Sequence, residues 1–165
     1  MERFHHTFPP VCDSASRILI LGSFPSVKSR EEGFYYGHPR NRFWPLLAAL
    51  TNESIPHSIE EKKTILSRHH IALWDVIESC EIKGSSDSSI REIVPNNIRE
   101  IFEVADIQAV FANGTTAWQL YMEYMYPVTQ QECIKLPSTS PANAAVSADR
   151  LLARWQTALY PYLND

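Results

Sequence analysis

The run RILILG, residues 17–22, places the strongest constraint on how this chain folds. Side chains of a strand point alternately to opposite faces, so consecutive apolar residues need cover on both sides. Such a strand belongs inside a parallel sheet with helices above and below it. IALWDVI (71–77) reads as another buried strand or strand-like edge, and IQAVFA (107–112) and ECIKLP (132–137) as two more. Amphipathic stretches lie between them. Asn41 opens one that carries Phe43, Trp44, Leu46, Leu47 and Leu50. SIEEKKTILSRHH (58–70) follows a Ser58 cap, PNNIREIFEVA (95–105) and TTAWQLYMEYM are further helices, and VSADRLLARWQTALYPYL (146–163) closes the chain. Alternation of this kind predicts a three-layer α/β/α sandwich around a mainly parallel four-stranded sheet. With 165 residues, one domain spanning 1–165 is expected.

Open parallel sheets bind ligands beyond the carboxyl ends of their strands. Three loops are expected there: GSFPS after the first strand, Asn113-Gly114-Thr-Thr after the middle one, and PSTSPAN after the last. Joined to the first is GHPRNRFW (37–44), which follows Tyr35-Tyr36 and packs two arginines, an amide and two aromatics into one short stretch. Flat faces beside cations suit nucleic acid. The net charge of −4 opposes indiscriminate polyanion binding. Locally, however, Lys28, Arg30, Arg40 and Arg42 form a cationic rim on an acidic body, enough to meet a few phosphates.

Several classes are disfavoured. Three scattered cysteines, Cys12, Cys80 and Cys133, make neither a disulfide framework nor a CxxC pair. His5-His6 and His69-His70 are adjacent pairs whose side chains diverge, so no metal and no cofactor is expected. No apolar run is long enough to span a bilayer, and MERFHHTFPP lacks a signal-peptide pattern, so a cytoplasmic protein without membrane contact is expected. Only five glycines are present, with no GxGxxG or GxxxxGK[ST] phosphate cradle.

The order ILGSFPS…YYGHPRNRFW…LPSTSPAN resembles the uracil-DNA glycosylase superfamily, in the pattern of its hypoxanthine-DNA (deoxyinosine) glycosylase branch. It is also similar to the mismatch-specific uracil/thymine branch. The resemblance covers nearly the whole chain and departs from the superfamily at two places. Phe24 stands where the mismatch-specific relatives carry a catalytic asparagine, and Leu136 precedes Pro137-Ser138 where the main uracil enzymes have histidine.

The resemblance implies a monofunctional glycosylase acting on DNA that holds a deaminated base, with a monomer expected. It places the catalytic role on Asn41, whose amide can orient water while staying neutral; a plain helix cap is the other reading of that residue. It points to Phe43 as the stacking platform, with Phe24 and Tyr36 as further flat faces and Asn113 as a reader of the base edge. Ser26, Lys28, His38, Arg40, Ser138, Thr139 and Ser140 are expected at the DNA, with Pro141 stiffening the loop that enters the duplex. Lys28 and Lys135 could in principle form a Schiff base, but nothing in the sequence sets either beside a second cation. A larger apolar wall at Phe24 favours hypoxanthine over uracil. A uracil/thymine mismatch enzyme and a non-catalytic nucleic-acid binding module are the alternatives.

Overall fold

A computed structural model describes residues 2–83 and 86–163. Its main sheet is fully parallel, with strands β2 (Ile18–Gly22), β3 (Ile71–Asp75), β6 (Ala109–Asn113) and β7 (Cys133–Leu136) in the order β3-β2-β6-β7. Every residue of β2 and β3 is buried, as the unbroken apolar runs require. A second sheet is antiparallel, β1 (Arg3–His5), β4 (Ile77–Glu81) and β5 (Arg91–Pro95) in the order β1-β4-β5.

The helices are α1 (Val27–Glu32), α2 (Phe43–Thr51), α3 (Ile59–Arg68), α4 (Arg99–Phe102) and α5 (Thr115–Leu120). A π-helical turn, Tyr121–Met125, joins α5 to α6 (Tyr126–Thr129), and α7 (Ala148–Leu163) ends the described chain. Ser58 caps α3 by accepting from the Glu61 N–H at 3.1 Å. Right-handed crossovers put the helices between β2 and β3 on one face and those between β6 and β7 on the other. Consistent with this, α3 packs on β3, α5 on β6 and β7, and α7 on α2. The result is the expected α/β sandwich.

Three local expectations change. The segment after GSFPS is not all loop: Ser26 Oγ accepts from the Ser29 N–H at 3.1 Å and starts α1, which Gly33 ends at φ 75°. The run 71–77 does not stay in one strand. It leaves the parallel sheet after Asp75 and continues from Ile77 as β4 of the second sheet. The helix expected over 95–105 shrinks to the single turn of α4. Pro95 belongs to β5, and Asn96 is held by its neighbours: its N–H donates to the Val76 carbonyl at 2.7 Å and its side chain to the Asp75 carbonyl at 2.8 Å.

Candidate active site

The chain leaves β2 toward β3 on one side and later places β6 on the other, so the sheet's switch point lies between β2 and β6. A cleft of about 530 Å³ opens there. It is lined by Gly22 through Ser26, by Tyr36, His38 and Asn41, by Asp75 and Asn113 at strand ends, and by Ser138 through Ala142. The three loops expected from the sequence therefore converge on one cavity.

Asn41 borders this cleft, and its Oδ1 accepts from the Phe43 N–H at 2.9 Å. The N-cap position is Arg42, which makes no side-chain cap bond; Asn41, one residue earlier, satisfies the first N–H of α2 and is oriented by doing so. One lone pair on Oδ1 and the Nδ2 hydrogens are not consumed by that bond. The cap and the site-facing amide are compatible uses of one residue.

Phe43 is placed differently from the expectation. It is 0% exposed and does not line the cleft, so it offers no open face to a base. It packs edge-on to Trp44 and Trp155 and stacks under Tyr36, with ring centroids 4.1 Å apart and planes 24° from parallel. Tyr36 is the ring that borders the cleft, supported from behind by Phe43. Its φ of 54° is left-handed, a conformation that bulky residues adopt only when their surroundings impose it. Burial, reinforced by the charge of Asp75 and opposed by Asn113, raises the Tyr36 hydroxyl well above the phenol range, so it stays protonated. Phe24 forms another apolar part of the wall and is 8% exposed.

Asn113 and Thr139 hold each other. The Asn113 Nδ2 donates to Thr139 Oγ1, and the Thr139 N–H donates to Asn113 Oδ1, each at 3.0 Å. Thr139 is 0% exposed, so its side chain cannot reach a phosphate in this conformation, contrary to expectation. Its neighbours are more accessible. Ser138 and Ser140 shape the loop by accepting from the N–H groups of Ser140 and Ala142, at 3.0 and 3.2 Å, and Pro141 starts a single 3-10 turn over Pro141–Asn143. Gly114, at φ 102°, lets this loop close in: a Cβ there would stand 3.1 Å from the Ser138 Cβ.

Arg42 does not act as part of a free cationic rim. Its guanidinium donates to the carbonyls of Val146 at 2.6 Å and Asn143 at 2.9 Å, and its backbone N–H to the Thr139 carbonyl at 3.0 Å. Arg40 is exposed at the rim, and its N–H donates to His38 Nδ1 at 3.1 Å, which puts the hydrogen of a neutral His38 on Nε2. Lys28 lies on α1, outside the cleft lining, 3.8 Å from Glu32. Ser26 lines the cleft and caps α1. Lys135 is exposed on β7 over the Trp118 ring and lines a second, smaller cleft.

Among the lining residues that escaped the sequence reading are Asp75, Ser29, Tyr35 and the 3-10 turn residues Asp87 and Ser88. Asp75 ends β3 as Gly22 and Asn113 end β2 and β6, a cue present in IALWDVI. His6 reaches it from beyond β1, with Nε2 2.8 Å from Asp75 Oδ2. Ser29, 1% exposed, accepts from the Gly37 N–H at 2.8 Å and ties the first loop to the GHPRN segment. His5 turns instead toward Glu78, and among the described residues no three His, Cys, Asp or Glu side chains cluster as metal ligands.

An open-sheet α/β protein with an aromatic-walled, amide-edged cleft at its switch point is the class that fold and site define. More particularly, the chain belongs to the uracil DNA glycosylase superfamily, whose family model matches residues 9–160. A hypoxanthine DNA glycosylase of Methanosarcina acetivorans is 36% identical over 145 residues, covering 87% of this chain and 90% of that one. A hypoxanthine DNA glycosylase of Methanosarcina barkeri is 36% identical over 109 residues, 65% of this chain and 69% of its own. A solution NMR structure of a Methanosarcina acetivorans protein, assigned provisionally as a uracil DNA glycosylase, superposes with a TM-score of 0.81 at 33% identity, covering 95% of this chain and 97% of that one. Among the described residues, no helix is long and apolar enough to cross a membrane.

Proposed function

We propose that this protein is a monofunctional DNA glycosylase that releases a deaminated base flipped out of DNA, hypoxanthine before uracil, and spares adenine. The observation that carries the reading is Asn41, an amide oriented by the Phe43 N–H on the rim of a cleft walled by Tyr36 and Phe24. A base extruded from the duplex needs a flat wall and an edge to read. Tyr36, backed by Phe43, supplies the wall.

Cleavage passes through a sugar cation, as in other glycoside hydrolysis. Water adds to C1′ while the C1′–N bond breaks; the electron pair leaves with the base, and the proton that the water gives up passes through solvent to that base. The spare lone pair of Asn41 Oδ1 accepts from that water and aims its oxygen at C1′, and the neutral amide adds no negative charge beside the phosphates. No lysine takes part, so the product is an abasic site with an intact strand. Ser26, His38, Arg40 and the Ser138–Pro141 loop meet the DNA around the extruded nucleotide. The preference for hypoxanthine rests on Phe24, which widens the apolar wall, and on the relatives that carry that name. The cleft is complete within one chain, which supports action as a monomer, and we assign it to the cytoplasm.

Single-turnover base release from matched duplexes holding hypoxanthine, uracil, xanthine, ethenocytosine or adenine tests the reading. Hypoxanthine should leave fastest and adenine not at all. Faster release of uracil would overturn the base preference, and release of no base would leave a binding module.

A further inference from the structure

Asp75 lines the cleft and pairs with His6 behind it, their side chains 6% and 2% exposed. Asp75 Oδ2 lies 2.8 Å from His6 Nε2. The other ring nitrogen, Nδ1, lies 2.9 Å from the Phe8 carbonyl, which can only accept, so Nδ1 carries a hydrogen. One further proton lies between Nε2 and Oδ2. If His6 holds it, the pair is imidazolium and carboxylate; if Asp75 holds it, the acid proton sits on Oδ2. In both cases Oδ1 carries no hydrogen and can only accept.

The surroundings fix this arrangement. The His6 ring is packed by Phe8, Tyr35 and Phe24, with centroids at 4.5, 5.9 and 6.3 Å. Asp75 pairs in register with Gly22 of β2, and a Cβ on Gly22 would collide with Asp75 Oδ1 and come within 3.3 Å of Tyr36 Oη. A hydrogen in place of a side chain is what lets the carboxylate lie at the strand end.

We propose that Asp75, with His6 behind it as a positioning residue, is the specificity-determining acceptor of the site and selects an extruded base by the ring N–H that deamination creates. Deamination of adenine turns N1 from an acceptor into an N–H donor, and deamination of cytosine does the same at N3. Hypoxanthine and uracil therefore offer Oδ1 a hydrogen, whereas adenine and cytosine bring a lone pair against a lone pair. A buried polar group left unpaired discriminates strongly, by factors of about 10⁴–10⁵ in sites built around one hydrogen bond. This assignment rests on the glycosylase reading above.

The test is single-turnover release of hypoxanthine and adenine by wild-type protein, Asp75→Ala and His6→Gln, with melting temperatures measured alongside. An alanine at 75 removes the acceptor from the cleft wall, whereas an asparagine would donate its NH2 to the bare Nε2 of His6 and keep an oxygen toward the base. We expect the hypoxanthine-to-adenine ratio to fall at least about 100-fold in Asp75→Ala. The ratio should also fall in His6→Gln, whereas a merely structural role would slow both bases alike. In a variant-free arm, wild-type protein meets duplexes carrying 1-methylhypoxanthine, which has no N1–H, and should leave that base in place. An unchanged ratio in folded Asp75→Ala, or 1-methylhypoxanthine released as fast as hypoxanthine, overturns the proposal while the glycosylase reading stands. No release of any base by wild-type protein overturns both.

Discussion

Asn113 and Thr139 exchange two hydrogen bonds, so the end of β6 and the loop after β7 behave as one unit. Asn113→Ala removes both and strands the buried polar groups of Thr139, at a cost of about 1–3 kcal/mol. Asn113→Asp keeps an acceptor for the Thr139 N–H, and the Thr139 hydroxyl can turn to donate. Thermal denaturation should therefore rank Asp well above Ala. If base release follows the same rank, Asn113 works by holding the loop.

Asn41 carries a stability role and a chemical role that can be separated. Asn41→Ala should lose about 1 kcal/mol through the unsatisfied Phe43 N–H. It should also lose at least about two orders of magnitude in single-turnover release, the scale of one positioned polar group. Asn41→Ser retains a capping oxygen on a shorter arm, so it should keep most of the stability and still be slow. A fast, folded Asn41→Ala protein would remove Asn41 from the chemistry.

Arg42 and Arg40 differ in what they hold. Arg42→Ala frees the carbonyls of Asn143 and Val146 and loosens the loop that follows Leu136. It should slow release from duplexes more than from single strands, because only a duplex resists extrusion. Arg40→Ala should instead weaken binding to all sequences and flatten the salt dependence, as loss of a phosphate contact does. A salt series on both variants separates them.

Phe43 supports the wall that Tyr36 presents. Phe43→Ala should destabilise the fold by about 3–5 kcal/mol, the usual cost of a large core deletion. Tyr36→Ala should cost less stability and act on substrate, with about 1–3 kcal/mol of stacking lost. Denaturant titration together with binding to hypoxanthine-containing DNA reads both effects.

Glu53 links the end of α2 to the end of α3. Hydrogen bonds from Arg68 and His69, at 2.6 and 2.9 Å, hold its carboxyl below the usual glutamate range. A carboxyl depressed in the folded state favours folding above its unfolded value, about 4.3, and loses that contribution as pH falls through the lowered folded value. Glu53→Gln should therefore be less stable than wild type at neutral pH, with the gap closing under acid. Melting temperatures from pH 7 to pH 3 check the sign.

Much of the architecture is legible in local pattern. An apolar run such as ILIL has one economical environment, a strand covered on both faces, and runs of this kind separated by amphipathic segments leave little besides a parallel sheet with helices on each side. The loops carrying Asn41, Asn113 and Ser138 could be placed at one end of that sheet because parallel strands share a direction. Local pattern says nothing, however, about which face of an aromatic ring meets solvent. GHPRNRFW looks the same whether Phe43 or Tyr36 borders the cleft, and only the packing of Phe43 against Trp155 of α7 decides it. Thr139 reads as an exposed loop residue until Asn113 buries it. The second sheet was hidden because β5 shows little periodicity and its partner β4 follows directly on β3. Above all, His6 and Asp75 are 69 residues apart, and nothing local to either announces the other. Sequence periodicity records how each segment meets water, which is short-range information. Tertiary packing alone decides which buried polar groups find each other, since a partner can come from anywhere the folded chain brings within about 3 Å.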